Sequence, residues 1–106
     1  MFCRRRCCRN LQNGEITIDE LINKVSQGAI LIDVRSKQEY NEGHLQGAIN
    51  IPDFEIKYRV EKEVPKKNQL IILYCQYGGR SRNAMAIMKN MGYTNAYNLY
   101  GGLDII

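Results

Sequence analysis

An uninterrupted apolar run of six residues, Leu70-Ile71-Ile72-Leu73-Tyr74-Cys75, is followed at once by Gln76-Tyr77-Gly78-Gly79-Arg80-Ser81. A run of that length bounded by turn residues reads as a strand, the clearest in the chain. The paired glycines let the backbone curl without Cβ clashes. Beyond the loop Gln76–Arg80, the spacing predicts a helix over Ser81–Met91, with Ala84, Ile87, Met88 and Met91 on one face and Gly92 as its stop. A strand, a tight loop and a helix in that order belong to an α/β fold, and in such sheets sites form beyond the carboxyl ends of the strands.

The rest of the chain repeats the alternation. Glu15–Thr17 reads as a short edge strand, and Thr17 with Glu20 forms a capping box for a helix whose Ile18, Leu21, Ile22 and Val25 make one apolar face. Ala29–Val34, a continuous apolar run broken only by Asp33, suits a central strand buried on both faces. Ser36 and Glu39 form another capping box for a short helix ending at Gly43. Ala48–Ile51 is a strand stopped by Pro52, residues 53–63 a helix, Pro65–Asn68 a turn and Ala96–Leu99 a last strand. Met85, Met88 and Met91 are helix filler, with Met88 and Met91 toward the core. The expected architecture is therefore a sheet with mostly parallel strands between helices.

At 106 residues the chain is one domain's worth, which excludes a two-lobed enzyme with a cleft between domains. Hydrophobic residues at 44% and charged residues at 25% allow one buried core. No apolar run is long enough to span a bilayer, and no apolar segment follows the basic N-terminus as in a secretory signal. The net charge of +4 matches Arg4, Arg5, Arg6 and Arg9, leaving 11 basic and 11 acidic residues elsewhere. The domain is thus not a basic nucleic-acid binder. Residues 1–13 read as a basic, mobile, cysteine-containing tail and 14–106 as the folded domain. Three of the four cysteines, Cys3, Cys7 and Cys8, lie in that tail, and Cys75 stands alone in the body. This distribution fits a reduced compartment, the cytoplasm, rather than a disulfide framework. Zinc at the three tail cysteines would need a fourth ligand. Acylation and sulfur acceptance from Cys75 are the alternatives to a tail without chemistry.

The chemistry converges on Cys75. A curled loop aims successive N–H groups inward as an anion-binding nest, and the following helix adds its free N–H groups and positive dipole end. Arg80 adds a charge nearby. Thiols in such surroundings ionise at roughly pH 3.5–7.5 instead of about 8.5. His44, the single histidine, lies in another loop, so backbone and Arg80 activate the thiol more economically than a Cys–His pair. His44 itself reads as a turn-fixing side chain. A phosphate-cradling Walker loop is excluded because its Lys-Ser/Thr pair is absent.

Two blocks resemble the single-domain rhodaneses, a family of sulfurtransferases. One runs from Asp33-Val34-Arg35 through Glu39-Tyr40 to Gly43-His44-Leu45-Gln46-Gly47-Ala48-Ile49-Asn50-Ile51-Pro52. The other is Tyr74-Cys75-Gln76-Tyr77-Gly78-Gly79-Arg80-Ser81. The resemblance covers residues 14–106 and implies a three-layer sandwich with a five-stranded, mainly parallel sheet and an active loop at Cys75–Arg80. It implies that Cys75 takes a sulfane sulfur from a donor such as thiosulfate and yields it to a thiol or protein acceptor, with no cofactor and no metal. The amides of Gln76, Tyr77, Gly78, Gly79, Arg80 and Ser81 would hold the donor. Arg80 would assist catalysis by binding the anion and favouring thiolate, while Asp33 and Arg35 give structural support. Phosphatases and arsenate reductases of this fold resemble Cys-x5-Arg, one residue longer than Cys75-x4-Arg80. A non-enzymatic sulfur carrier or docking module is the other alternative. The family pattern Gly-Gly-apolar then Trp is met by Gly101-Gly102-Leu103, but Ile106 stands in the place of the Trp, which implies an exposed apolar patch there.

Overall fold

The computed structural model describes residues 13–106. The expected tail, apart from Asn13, therefore lies outside the described residues, as do the readings of Cys3, Cys7 and Cys8. Five strands, β1 (Glu15–Ile16), β2 (Ile30–Asp33), β3 (Ile49–Asn50), β4 (Ile71–Tyr74) and β5 (Ala96–Leu99), form one sheet in the order β1-β5-β4-β2-β3. Every pairing is parallel, so the expected "mainly parallel" sheet is wholly parallel. Each strand must then return through a crossover, and the helices α1 (Ile18–Ser26), α2 (Lys37–Asn41), α3 (Ile56–Glu63) and α4 (Gly79–Asn90) supply most of them.

Strand β4 lies in the middle of that order, and all four of its residues are buried. Its side chains alternate between two cores. Ile71 and Leu73, followed by Cys75, pack with Ile56 and Val60 of α3 and Ala84, Met85 and Met88 of α4. Ile72 and Tyr74 face the other way, onto Ile16, Leu21 and Leu99. This is the three-layer arrangement, with the strand's period of two deciding which layer each residue meets.

Both capping boxes form. Thr17 Oγ1 accepts from Glu20 N at 3.3 Å, and Ser36 Oγ accepts from Glu39 N at 3.2 Å. Four expectations change. Helix α4 begins at Gly79 rather than Ser81, because Gly78 takes φ +105° as its N-cap and its carbonyl accepts from Arg82 N at 3.0 Å. Gly79 and Arg80 are thus helical, and the loop proper is Gln76–Gly78. Residues 53–63 divide into a 3-10 turn, Asp53–Glu55, and α3. The apolar face of α1 is only partly covered: Leu21 is buried, but Ile22 is 60% and Val25 38% exposed. The two-residue edge strand β1 offers too little sheet to cover them. Met85, expected as filler away from the core, is buried, packed so close to Gly14 that a Cβ there would lie 3.1 Å from its sulfur. Ile105 and Ile106 are exposed, as the missing Trp implied.

After β5 the chain turns back beneath the Cys75 loop. Gly101 and Gly102 have φ of +79° and +63°, and a 3-10 turn, Gly102–Ile105, follows. Leu103 N donates to Cys75 O and Asp104 N to Gln76 O, both at 2.9 Å. A Cβ on Gly102 would lie 2.4 Å from Cys75 O. Gly102→Ala therefore adds a backbone clash to a left-handed conformation and is expected to destabilise the domain by about 1–3 kcal/mol. Thermal unfolding should show a midpoint lower by at least about 4 °C.

Candidate active site

Cys75 follows the last residue of β4, at the carboxyl end of the sheet, and is 1% exposed. Three donor-capable groups converge on its sulfur. Gly78 N lies 3.0 Å from Sγ, Ser81 N 3.4 Å and Ser81 Oγ 3.3 Å. The turn beneath holds the start of the loop, with the Cys75 and Gln76 carbonyls accepting from Leu103 and Asp104, and the left-handed Gly78 then opens α4 so that its first turn brings Ser81 N to the thiol. Burial pushes the thiol pKa up, but hydrogen bonds from the Ser81 hydroxyl and the Ser81, Gly78 and Tyr77 amides outweigh burial and hold it below its ordinary value.

Arg80 is not among those partners. Its Nη1 and Nη2 donate to Glu39 Oε1 and Oε2 at 2.8 and 3.1 Å, across from α2. Amides and a hydroxyl therefore make the direct contacts to Sγ, while Arg80, paired with Glu39, acts on the thiol through its charge. The pair holds Glu39 down at about 2, Arg80 being the largest cause and the Ser36 amide the next. Glu39 thus serves twice, capping α2 and anchoring Arg80, and its second role was not legible from its capping-box spacing.

The remaining predicted residues take these places. Tyr77 stands at the rim, 71% exposed. Gln76 is half-buried, its Oε1 3.5 Å from Arg35 Nη1. Gly79 is exposed in the first turn of α4. Asp33 and Arg35 are buried and paired with each other: Asp33 accepts from Arg35 N, Nε and Nη2 at 2.9, 3.1 and 2.8 Å. Arg35 Nη2 also donates to Gly43 O at 2.6 Å, tying the β2 end to the His44 loop. Arg35 thus meets Asp33, while Glu39 is left to Arg80. His44 Nδ1 lies 2.9 Å from Tyr40 O and its ring stacks on Tyr40 with centroids 3.7 Å apart, the turn-fixing role expected.

Two buried polar residues behind the thiol were not anticipated. Asn98 of β5 and Glu15 of β1 are 0% and 7% exposed. Ser81 Oγ donates to Asn98 Oδ1, and Asn98 Nδ2 donates to Glu15 Oε2 at 3.1 Å. A fully buried Asn in an apolar strand is the one sequence signal that points to such a partner. Among the described residues, no group of three His, Cys, Asp or Glu side chains is placed to hold a metal, and no helix is long and apolar enough to cross a membrane.

The Glu39 carboxyl sets a pH expectation. Its folded pKa is depressed, so the stabilisation from the Arg80 pair is complete above the ordinary carboxylate value of about 4.3 and is lost as pH falls toward about 2. Carbon-13 NMR titration should place the Glu39 midpoint near 2 and return it toward the ordinary range in Arg80→Ala.

Comparison with known proteins agrees with this geometry. A model of the Rhodanese-like domain matches residues 17–105. Thiosulfate sulfurtransferase PspE of Escherichia coli is 46% identical over 74 residues, which are 70% of this chain and 71% of that protein. Adenylyltransferase and sulfurtransferase uba4 of Ogataea parapolymorpha is 32% identical over 104 residues, 97% of this chain but only 26% of that protein. The structure of the human single-domain sulfurtransferase TSTD1 superposes with a TM-score of 0.77 at 29% identity, covering 86% of this chain and 92% of that one. A sheet of this order, a cysteine cradle at its carboxyl end and these matches together place the chain in the rhodanese-like domain family.

Proposed function

We propose that this protein is a rhodanese-type sulfurtransferase that carries sulfane sulfur on Cys75 from a donor such as thiosulfate to a thiol or protein acceptor. The observation that carries the reading is the set of donor-capable groups converging on the Cys75 sulfur at the end of β4. The Cys75 thiolate attacks the outer sulfur of thiosulfate. The sulfur–sulfur bond of the donor breaks, its electron pair leaves on sulfite, and an Sγ–S bond forms. An acceptor thiolate or cyanide then attacks the outer sulfur, and the pair of the breaking Sγ–S bond returns to Sγ. Electrons balance without an external oxidant or cofactor. The amides of the Gln76–Ser81 turn stabilise the negative charge at each stage. Arg80, at the mouth, draws the dianionic donor while Glu39 holds its guanidinium in place. Asp33 and Arg35 support the site from below. The lone body cysteine fits a reduced compartment, the cytoplasm, as the place of action.

The test is incubation with thiosulfate followed by intact mass measurement. The expected result is a gain of one sulfur atom, removed by cyanide and absent in Cys75→Ser; no adduct in the absence of reductant would overturn the reading. Arg80→Ala is expected to raise KM for thiosulfate about tenfold, the scale of one lost hydrogen bond to a charged group. The same variant should also raise the pH midpoint of thiol alkylation, because the Arg80 charge acts on Cys75 even without a hydrogen bond to Sγ.

A further inference from the structure

The Ser81 hydroxyl has one hydrogen and three acceptors within reach. Asn98 Oδ1 lies at 2.5 Å, Gly78 O at 3.2 Å and Cys75 Sγ at 3.3 Å. The orientation of the Asn98 amide follows from its other neighbours. Its nitrogen faces two oxygens, Glu15 Oε2 at 3.1 Å and Gly78 O at 3.4 Å, so its carbonyl oxygen is the atom turned to Ser81. Glu15 is itself held by Arg82, Nε to Oε2 at 2.7 Å, with the carboxylate side chain 1% exposed. A continuous buried chain of polar groups therefore runs from Arg82 at the surface through Glu15, Asn98 and Ser81 to the sulfur.

That chain cannot satisfy both protonation states of Cys75 in one arrangement. When Cys75 is a thiol, its S–H donates to Ser81 Oγ and the serine hydrogen goes to Asn98. When it is a thiolate, Sγ has only acceptor capacity and is best served if the serine hydrogen turns to it. We infer that the Ser81 hydroxyl is a two-position switch, turned to Asn98 in the thiol and to Cys75 in the thiolate, with Asn98 and Glu15 as positioning residues that govern how readily it turns. The consequence for turnover rests on the sulfur-carrier reading. Once an outer sulfur is attached, the negative charge leaves Sγ, and the hydroxyl returns to Asn98.

Two neighbouring substitutions should then move the thiol in opposite directions. Ser81→Ala deletes the donor and raises the thiol's ionisation midpoint. Asn98→Leu deletes the nearest competing acceptor at similar volume, leaves only Gly78 O at 3.2 Å to compete with the sulfur, and lowers the midpoint. Neither changes a formal charge. The charges around the cradle stay as they are: Arg82 with Glu15, Arg80 with Glu39, and Arg35 with Asp33. Asp53, which acts on Arg80 at longer range, is also unchanged.

The experiment is the pH profile of iodoacetamide alkylation at Cys75, followed by mass. Below the parent midpoint, Ser81→Ala should hold about tenfold less thiolate, Ser81→Thr should restore it, and Asn98→Leu should hold several-fold more. Shifts of the same sign in Ser81→Ala and Asn98→Leu, or no shift in the latter, would overturn the switch. If Asn98→Leu does not fold, Asn98→Ala asks the same question without added bulk. In the parent protein, the Asn98 side-chain amide signals in a nitrogen-15 spectrum should move with the alkylation midpoint; signals unmoved across that range would also overturn it. No sulfur donor is used, so these outcomes stand apart from the thiosulfate experiment. Normal loading with same-sign shifts ends the switch alone, and opposite shifts without loading end the sulfurtransferase reading alone.

Discussion

Two backbone hydrogen bonds, from Leu103 N to Cys75 O and from Asp104 N to Gln76 O, fix the first two peptide planes of the loop that holds the thiol. A peptide unit presents its carbonyl and its N–H on opposite sides. Tying successive carbonyls to the chain's last turn leaves them unable to face the sulfur, and the left-handed Gly78 then starts the helix whose first turn brings Ser81 N to it. The turn can pass this close only because Gly102 lacks a Cβ and accepts a positive φ. The cradle is thus assembled from segments far apart in sequence, and the Gly-Gly loop alone does not specify it.

Electrostatics follow from the same placement. The first turn of α4 carries Arg80 and Arg82 and no acid. Two arginines beside a helix N-terminus would be repelled by its positive end unless balanced. Glu39 from the first turn of α2 pairs with Arg80, and Glu15 from the edge strand pairs with Arg82. Neither acid touches Sγ, so the helix end and its amides remain for the thiolate and an incoming anion. Buried Asp33 and Arg35 repeat the principle one layer below, where an unpaired charge would be costly.

Much of the architecture was legible because its signals are local. The continuous apolar β4, the capping boxes at Thr17 and Ser36 and the strand Ala96–Leu99 each depend on residues within a few positions of one another. The start of α4 was misplaced because Gly78-Gly79 reads as loop by composition, whereas a left-handed Gly78 is a helix cap in this setting. The partial exposure of α1 was hidden because periodicity shows that a face is apolar without showing how much sheet lies beneath it. At the site, Cys75 and its loop were found from the Gly-Gly-Arg-Ser context. Glu39 as the anchor of Arg80, and Asn98 with Glu15 behind Ser81, were not, since each joins residues 17 to 83 positions apart.

The sequence by itself determined the alternation of strands and helices, the strength of β4 as a strand, and the identity of the one thiol at its carboxyl end, since these depend on short-range spacing and side-chain polarity. Only the tertiary structure decided which groups surround that sulfur. Hydrogen-bond partners are selected by distance in space, and the closing turn at Gly102, the edge strand bearing Glu15 and the helix bearing Glu39 reach the thiol's surroundings only after the parallel sheet has set its strand order.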